Sequence, residues 1–324
     1  MPQQSENKLT ELLEANAVLV ADGGMGTTLF GLGLENGDSP ELWNVDFPDL
    51  VASVHRGYVE AGADIILTNT FGGTSPRLVH YGLEDRVPEL NLAGATIARE
   101  VAAEAERPVV VAGSIGPTGD LFVPHGPIDA DEGIEIYSEQ IAALVEGGVD
   151  VLWIETMYAV DELTAAYTVA SRYDLPIVTT MSFDTHGHTM MGVPPEAFTT
   201  WAEEQEQLPA ALGANCGIGP RDALLALSAM LRASPDFIAV AKTNCGAPAL
   251  QGLEVTYPIG PDGMKIYTET AVDIGARIIG VCCGSHAEHV RAIRLTVDQY
   301  VAGPTPDRDE IVERLAPIDA AAVT

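Results

Sequence analysis

The chain has 324 residues, 47% of them hydrophobic, and its 47 acidic and 16 basic side chains give a formal net charge of −31. Because so acidic a surface repels phosphate groups, nucleic acid and membrane surfaces are excluded as expected partners. No apolar run is long enough to span a membrane, and the start from Met1 to Glu14 is polar and acidic, unlike a signal peptide. We therefore expect a cytoplasmic protein with one large core.

Short apolar runs rich in β-branched residues predict eight strands. In chain order they are Ala17–Ala21, Ile65–Thr68, Val109–Ala112, Val151–Ile154, Ile177–Met181, Ala211–Ala214, Phe237–Ala241 and Arg277–Val281. Patterns with an apolar residue every three or four positions predict helices between them, at Val51–Ala61, Glu89–Ala105, Glu135–Gly147, Val160–Arg172, Pro195–Gln205 and Arg221–Arg232. This alternation predicts an α/β fold, and eight units favour a single (β/α)8 TIM barrel over an open doubly wound sheet.

The end of the chain differs in composition from the rest. The sequence Gly303-Pro304-Thr305-Pro306 breaks the last helical pattern and leads into an acidic segment. We assign residues 1–302 to the barrel and residues 303–324 to a carboxyl-terminal tail, which is expected to form a surface helix or a subunit contact. The sequence leaves the oligomeric state open, with a homo-oligomer as one possibility.

Polar or thiol side chains follow each predicted strand. Apart from Ser182 to Asp184 after the fifth strand, they are Asp22, Asn69, Ser114, Glu155, Asn215, Cys216, Asn244, Cys245, Cys282 and Cys283. In a barrel the carboxyl ends of the strands share one rim, where barrel enzymes place their chemistry. We therefore expect residues far apart in sequence, such as Asp22 and Cys282, to converge on one pocket, with Asn69 and Ser114 among the substrate-binding residues.

All four cysteines lie at or beyond residue 216, and three of them fall at predicted strand ends, in Asn215-Cys216-Gly217 and in Cys282-Cys283-Gly284. A cytosolic chain gathers cysteines where a metal or a reaction needs them, and adjacent cysteines do not form an ordinary disulfide. Neighbours on a regular strand point to opposite faces, so Cys282 and Cys283 face one ion only if the strand ends or bulges there. We predict a zinc site formed by the thiolates of Cys216, Cys282 and Cys283.

Two other interpretations of the cysteines remain open. Cys245 could complete a four-cysteine structural zinc site, or the cysteines could be small buried residues of the core.

After Cys282 and Cys283, Ser285 and Glu288 form an S-x-x-E capping box, which predicts a helix that begins at Ser285.

A zinc ion with three protein ligands keeps one open position, the pattern of a catalytic site. A coordinating thiol is deprotonated outright, so a thiolate-rich zinc suits a sulfur substrate. Hydrolysis is less favoured, because a zinc ion that activates water usually has histidine and carboxylate ligands. His186 and His188 lie in a glycine-flanked segment that is typical of a solvated turn.

The first strand is followed by Asp22-Gly23-Gly24-Met25-Gly26-Thr27. These glycines do not follow the G-x-G-x-x-G dinucleotide pattern, and no lysine makes the segment a P-loop. We predict instead that the backbone N–H groups of Gly23, Gly24 and Met25 are free to bind a carboxylate, while Asp22 and Glu155 face an ammonium group. The alternative for both carboxylates is helix capping or an ion pair. A carboxylate, an ammonium and a zinc-bound thiolate together describe a thiol amino acid.

The chain resembles the zinc-dependent homocysteine S-methyltransferases, in motifs that run in family order. They are Asp22-Gly-Gly-Met-Gly-Thr27, Thr68-Asn-Thr-Phe71, Gly113-Ser-Ile-Gly-Pro-Thr118, Glu146-Gly-Gly-Val-Asp150, Ile154-Glu-Thr156, Asn215-Cys-Gly217, Asn244-x-Gly246-x-Pro248 and Cys282-Cys-Gly284. The resemblance implies a (β/α)8 barrel that binds zinc through Cys216, Cys282 and Cys283. It also implies that Asp22, Glu155 and the backbone of Gly23 to Met25 hold homocysteine, which accepts a methyl group to give methionine.

The methyl donor is less defined by the resemblance. Some motifs are most similar to the homocysteine barrel of cobalamin-dependent methionine synthase, yet the chain has no room for its other domains, so a separate corrinoid protein is one expected partner. A small onium compound, such as betaine or a sulfonium, is the other expected donor, bound on aromatic faces. The candidate aromatic residues are Trp43, Phe71, Phe122, Trp153, Tyr158 and Phe183. Residues 118–132 are expected to form a donor pocket or a lid.

Thr156 and Gly72-Gly73 stand where the betaine enzymes carry tyrosines, which weakens the case for a copied betaine site.

A hypothesis from another class is a redox- or metal-responsive binding protein that uses the same cysteines.

Overall fold

The computed structural model of the chain describes residues 7–184, 186–251 and 254–321. The predicted acidic start and the predicted tail therefore lie partly outside the described residues, at 1–6 and 322–324. Side chains are described except at positions 250, 251, 254 and 319–321.

Eight parallel strands form a closed barrel with a short hairpin beside it. In chain order the strands are β1 (Leu19–Val20), β2 (Ile65–Leu67), β3 (Val110–Ile115), β4 (Val151–Met157), β5 (Ile177–Met181), β6 (Ala211–Cys216), β7 (Ala239–Thr243), β8 (Ala249–Gln251), β9 (Glu254–Thr256) and β10 (Ala276–Val281). The barrel order is β1-β10-β7-β6-β5-β4-β3-β2, and the bridge between Ala21 and Ile65 closes the ring. Strands β8 and β9 form the separate antiparallel hairpin. The predicted (β/α)8 barrel is confirmed.

Helices follow each barrel strand and cover its outer surface. In chain order the α-helices are α1 (Lys8–Ala15), α2 (Met25–Gly31), α3 (Trp43–Asp46), α4 (Pro48–Ala61), α5 (Ser75–Leu78), α6 (Val87–Glu104), α7 (Ala130–Glu146), α8 (Val160–Ala170), α9 (Pro195–Glu203), α10 (Pro220–Ala233), α11 (Pro261–Ile274), α12 (Ala287–Gln299) and α13 (Arg308–Ala321). The helices that the sequence pattern predicted are all present, with ends that differ by a few residues. Within the described ranges, no helix combines the length and the apolar character needed to cross a membrane.

The strands are buried on both faces, which explains why they appear in the sequence as unbroken apolar runs. Along β2, Ile65 packs into the barrel interior, whereas Ile66 packs outward beneath the helices. The same alternation holds for Val110 and Val111 on β3. Parallel sheets covered by helices require this pattern, because neither face meets water. Each fully buried aliphatic side chain contributes about 1.5–3 kcal/mol of hydrophobic stabilisation.

Helix α1 closes the amino-terminal end of the barrel, and the sequence analysis did not predict it. Leu9 packs among the interior residues of the strands and is 1% exposed. Lys8 Nζ lies 2.8 Å from Asp150 Oδ2 and donates to the Val109 carbonyl oxygen at 3.1 Å. These contacts join α1 to the residues just before β3 and β4.

The segment after residue 302 ends in helix α13, which packs on the barrel. Ile311 and Leu315 are fully buried, and α13 contacts α10 and α11. Arg314 pairs with Asp273 of α11 at 2.6 Å, and the Gly303 N–H donates to the same carboxylate. The segment is thus attached to the barrel by both apolar and charged contacts.

Candidate active site

A pocket of about 330 Å³ opens at the carboxyl ends of the barrel strands. Every residue that the sequence analysis assigned to zinc or homocysteine binding lines this pocket: Asp22, Gly23, Gly24, Met25, Asn69, Ser114, Glu155, Cys216, Cys282 and Cys283. Several lining residues were not predicted as site residues, among them Glu41, Thr156 and Lys242. The volume is within the range of small-molecule sites.

The cysteine cluster is the most distinctive part of the pocket. The Sγ atoms of Cys216, Cys282 and Cys283 all lie within 4.8 Å of one another. Strand β10 ends at Val281, so the adjacent pair lies in the turn after the strand and is free of the strict alternation of a strand. Cys216 ends β6 with φ 59°, a left-handed conformation that is uncommon outside glycine. Of the two conditions under which Cys282 and Cys283 could face one ion, a strand end or a bulge, the structure has the strand end.

The end of β7 holds the two cysteine segments together. Asn244 Oδ1 accepts a hydrogen bond from the Cys283 N–H at 2.9 Å, and its Nδ2 donates to the Gly217 carbonyl at 2.6 Å. The Cys282 N–H also donates to the Thr243 carbonyl at 2.6 Å. One asparagine side chain thus bridges the loop after β6 and the loop after β10.

The thiols of the cluster influence each other's protonation. Hydrogen bonds from the thiols of Cys216 and Cys282 hold the pKa of the Cys283 thiol well below its usual range. Tyr257 contributes a further hydrogen bond to Cys283. Its ring lies against Gly284, so that any side chain at position 284 would overlap the ring. The three sulfur atoms lie close enough together to hold a soft metal ion.

Cys245 lies outside the cluster. It is fully buried in the outer hydrophobic core, and burial raises the pKa of its thiol to about 12. The group of potential metal ligands found in the described part of the chain contains the other three cysteines and not Cys245. These observations agree with Cys245 as a small buried residue of the core and disfavour a four-cysteine site.

Asp22 and Glu155 are buried carboxylates at the floor of the pocket. Asp22 Oδ2 accepts from the Leu67 N–H at 2.7 Å, and Glu155 Oε1 accepts from Ser114 Oγ at 2.6 Å. Asn215 Nδ2 lies 3.3 Å from Glu155 Oε2. Burial raises the pKa of Asp22 and of Glu155 to about 7 in each case, against the opposing effect of a nearby lysine.

That lysine is Lys242, the penultimate residue of β7, which the sequence analysis did not place in the site. Its Nζ lies 3.5 Å from Asp22 Oδ1, and its side chain is 4% exposed. The chain contains three lysines in all, and this one directly follows a predicted strand. That position was the available signal, because the polar residues that follow the predicted strands were assigned to the rim.

The glycines after β1 are required by close approach. A Cβ at Gly23 would lie 2.7 Å from Ser285 Oγ, and a Cβ at Gly24 would lie 2.7 Å from the Cys282 carbonyl oxygen. The expectation that the Gly24 N–H is free is wrong, because it donates to Ser285 Oγ at 2.8 Å. Ser285 in turn donates to the Cys282 carbonyl at 2.7 Å, so it ties the first loop to the cysteine turn.

The predicted capping box at Ser285 is wrong for the same reason. Helix α12 begins at Ala287 with His286 as its N-cap, and His286 and His289 form the reciprocal capping bonds. Ser285 is used between loops, so it does not cap the helix.

Comparison with known proteins identifies the family. Residues 19–297 match the homocysteine S-methyltransferase family. The chain belongs to this family. Methionine synthase from Mycobacterium leprae is 30% identical over 316 residues, which are 92% of this chain and 26% of that protein. Methionine synthase from Mycobacterium tuberculosis is 31% identical over 307 residues, 89% of this chain and 25% of that protein. The chain thus spans about a quarter of the length of these relatives.

Solved structures show the same fold. The homocysteine methyltransferase MmuM from Escherichia coli, in its metallated form, superimposes with a TM-score of 0.76 at 24% identity, covering 89% of this chain and 99% of that one. Its oxidised form gives a TM-score of 0.73. The predicted resemblance to the homocysteine S-methyltransferases is confirmed.

Within this family fold, the pocket offers few of the aromatic residues suggested for donor binding. Phe71 and Tyr158 line it. Four others are buried in the hydrophobic core: Trp43, Phe122, Trp153 and Phe183. Residues 118–132 do not belong to the described lining of the pocket; Thr118 instead donates to Glu162 Oε1, and Phe122 packs against Gly133. The burial of the four aromatic side chains is a tertiary feature, which the sequence pattern alone does not locate.

Asn69 and Ser114 line the pocket as predicted, with side chains that also serve the protein. Asn69 Nδ2 donates to the Pro40 carbonyl at 2.6 Å and to Asn44 Oδ1 at 3.0 Å. Ser114 donates its hydroxyl proton to Glu155. Both therefore support neighbouring parts of the pocket wall.

Proposed function

We propose that the chain transfers a methyl group to the thiol of homocysteine, using a zinc ion held by Cys216, Cys282 and Cys283. The supporting observation is that three sulfur atoms within 4.8 Å of one another share one pocket with the buried carboxylates of Asp22 and Glu155. Thiolate sulfur is a soft ligand that zinc accepts readily, and three protein ligands leave a tetrahedral ion one position for a substrate. The donor set present therefore fits zinc.

When bound, the ion would keep the substrate thiol deprotonated at neutral pH. The protein itself orients the ligands through Asn244, which bonds to the Cys283 N–H and to the Gly217 carbonyl. In the proposed transfer the homocysteine sulfur forms a bond to the methyl carbon as the donor–methyl bond breaks. The electron pair of that bond leaves with the donor, and no oxidant is required.

We further propose that the amino-acid end of homocysteine lies against Asp22 and Glu155. Their carboxylates face the pocket and would pair with the substrate ammonium, while the N–H groups of Gly23 and Met25 at the start of α2 would bind its carboxylate. Asn69 and Ser114 line the same region. Ser114 contributes by fixing the orientation of Glu155 through a 2.6 Å hydrogen bond.

For the donor, we propose a small onium compound. Glu41 lines the pocket and is 5% exposed, with Oε1 accepting from the Gly72 N–H at 2.7 Å and Oε2 accepting from Ser39 Oγ at 2.8 Å. A buried carboxylate that lines the same pocket as the aromatic rings of Phe71 and Tyr158 suits a cation rather than a neutral molecule. Betaine and sulfonium compounds have this character.

A methylcorrinoid carried by a separate protein is the second candidate donor. It is favoured by the similarity to methionine synthases of which this chain spans about a quarter. A panel of donors with homocysteine separates the two: betaine, S-methylmethionine, dimethylsulfoniopropionate, methylcobalamin and a methylated corrinoid protein, each scored by the methionine formed. Methionine from an onium donor supports the first proposal, and methionine from the corrinoid donors alone would replace it by the second.

The zinc proposal is tested by metal analysis of the purified protein. We expect about one zinc per chain, and we expect Cys282→Ala to lose both the metal and methionine formation. Cys245→Ala is the matched control, because it removes a buried thiol of the core without touching the cluster. If Cys282→Ala still methylated homocysteine, the proposed mechanism would be wrong.

The alternative is a redox- or metal-responsive binding protein that uses the same three cysteines. The short distances among their sulfur atoms would also allow a reversible disulfide after small movements. Turnover separates the two functions, because this alternative forms no methionine with any donor.

A further inference from the structure

Lys242 is a buried cation in an otherwise acidic pocket. Among the described residues that line the pocket it is the one basic side chain, alongside the carboxylates of Asp22, Glu41 and Glu155. A lysine that is 3% exposed is rare unless its charge is paired. The position therefore calls for a specific electrostatic role.

The barrel places this lysine beneath the cysteine cluster. In the register of the sheet Lys242 lies between Asn215 of β6 and Gly280 of β10. Asn215 precedes Cys216, and Gly280 lies two residues before Cys282. The two strands that lead to the cysteines thus flank the lysine, and its side chain shares the pocket with all three thiols.

The surroundings keep Lys242 charged. Burial alone would lower the pKa of its ammonium, but the charge of Asp22, followed by those of Cys282 and Glu155, raises that pKa above its usual value. Asp22 Oδ1 has no hydrogen-bond partner among the described residues, and its nearest cation is Lys242 Nζ at 3.5 Å. The other oxygen, Oδ2, is held by the Leu67 N–H.

We propose that Lys242 is a positioning residue that supplies the fixed counter-charge for the anionic centre and orients Asp22 within it. This inference rests on the proposed function. A zinc ion with three thiolates carries a net charge of −1, and the thiolate of a substrate makes it −2. Concentrating that charge beside two buried carboxylates is unfavourable unless a cation is close by, and solvent screens little at this depth. The fixed ammonium offsets that cost.

The test measures zinc affinity, which requires no methyl transfer. Competition with a chromophoric chelator gives the zinc dissociation constant of the wild type and of Lys242→Met, which preserves the length of the side chain without its charge. We expect that constant to rise about tenfold or more in Lys242→Met, whereas Lys242→Arg stays within about threefold of the wild type. Lys265→Met is the matched control, because Lys265 is 70% exposed and lies 3.9 Å from Glu269. The zinc dissociation constant of this variant should equal that of the wild type.

A double variant separates charge from folding. The single variant Lys242→Met leaves the buried Asp22 carboxylate without its cation and could fold less well for that reason alone. The double variant that combines Asp22→Asn with Lys242→Met removes both charges and avoids this problem. We expect this folded double variant still to bind zinc more weakly than Asp22→Asn alone. Equal zinc affinity in those two variants, or equal losses in Lys242→Met and Lys242→Arg, would overturn the counter-charge role.

The same titrations distinguish this inference from the proposed function. If the wild type binds no zinc, the proposed function fails and this inference fails with it. If the wild type binds zinc and Lys242→Met binds it equally well, only the role of Lys242 is rejected.

Discussion

The two ends of the barrel use charged residues in opposite ways. At the amino-terminal end Asp64 accepts hydrogen bonds from the Val20 N–H, Arg107 and Arg294, and Lys8 of α1 pairs with Asp150. Each of these carboxylates has a cation and a backbone donor. At the carboxyl-terminal end a cluster of thiols and carboxylates shares one buried lysine. The carboxylates at the amino-terminal end are thus paired within the protein, whereas the thiols and carboxylates at the carboxyl-terminal end can still bind ligands.

This difference assigns stability and chemistry to separate parts of the same strands. The strands fix both ends rigidly, so residues just before a strand contribute to folding, and residues just after it remain available for catalysis. Substitutions at the amino-terminal end should therefore change the free energy of unfolding, and substitutions at the carboxyl-terminal end should change metal binding or rate.

The largest effect is expected at the asparagine that bridges the cysteine loops. Asn244→Ala removes the acceptor of the Cys283 N–H and the donor to the Gly217 carbonyl. Loss of such support to metal ligands typically costs 10- to 100-fold in affinity, so we expect the zinc dissociation constant to rise by about that factor. Chelator competition measures it.

Asn91→Ala is the matched control for this substitution. Asn91 is also fully buried and donates to two backbone carbonyls, of Gly73 and Val87, but lies away from the cysteines. It should lower the melting temperature and leave the zinc affinity unchanged. An equal loss of zinc affinity in both variants would contradict the bridging role of Asn244.

The second expected effect is a pH dependence of the rate of methyl transfer. Since burial raises the pKa of Asp22 and of Glu155 to about 7, a substrate ammonium meets ionised partners mainly above neutral pH. We expect kcat/KM for homocysteine to increase several-fold from pH 6 to pH 8. Glu155→Gln should lower the rate and flatten this part of the profile; an unchanged profile would remove Glu155 from substrate binding.

The same two carboxylates should affect stability with the opposite sign. Their pKa values are raised in the folded protein, from 3.8 for Asp22 and 4.5 for Glu155 in the unfolded chain. Between about pH 4 and 7 the folded protein therefore holds more protons than the unfolded chain, and the contribution of these groups to the free energy of unfolding falls as pH rises. Urea unfolding of the wild type and of Asp22→Asn across this window measures the difference.

The smallest effect on function is expected at the amino-terminal end. Asp64→Ala leaves Arg107, Arg294 and the Val20 N–H without their shared acceptor, and we expect it to lower the free energy of unfolding by about 1–3 kcal/mol. Asp298→Ala is the control, because it removes a 55% exposed partner of the same Arg294 and should cost less than about 1 kcal/mol. Both variants should retain the wild-type kcat/KM. If Asp64→Ala were fully folded and still lost activity, stability and chemistry would not be assigned to separate ends of the barrel.

The fold and most of the pocket followed from local sequence patterns. Buried parallel strands produce continuous apolar runs, and the polar residue after each run marks the rim, which is how Asp22, Glu155 and Cys216 were found. Their placement needed no knowledge of contacts, because a closed barrel brings all strand ends to one face.

Residues that act through long-range contacts were missed. Ser285 has the spacing of a helix cap, yet its hydroxyl bonds to the loop after β1, 261 positions away in the chain. Lys242 directly follows a predicted strand, and its pairing with Asp22 exists only when β7 and β1 lie on either side of β10 in the barrel. Helix α1 carries Leu9, Leu12 and Leu13 at helical spacing, a local signal that the sequence analysis did not use. Leu9 packs among the interior residues at the end of the barrel, and Leu12 and Leu13 pack against the same cluster.

The most direct test of the account is the zinc coordination measured by X-ray absorption, with and without homocysteine. We expect three sulfur ligands at about 2.3 Å and one lighter atom in the protein alone, and four sulfur ligands once homocysteine is added. Four sulfur ligands before homocysteine is added, or three that do not change on its addition, would contradict the claim that this pocket activates the substrate thiol at an open zinc position.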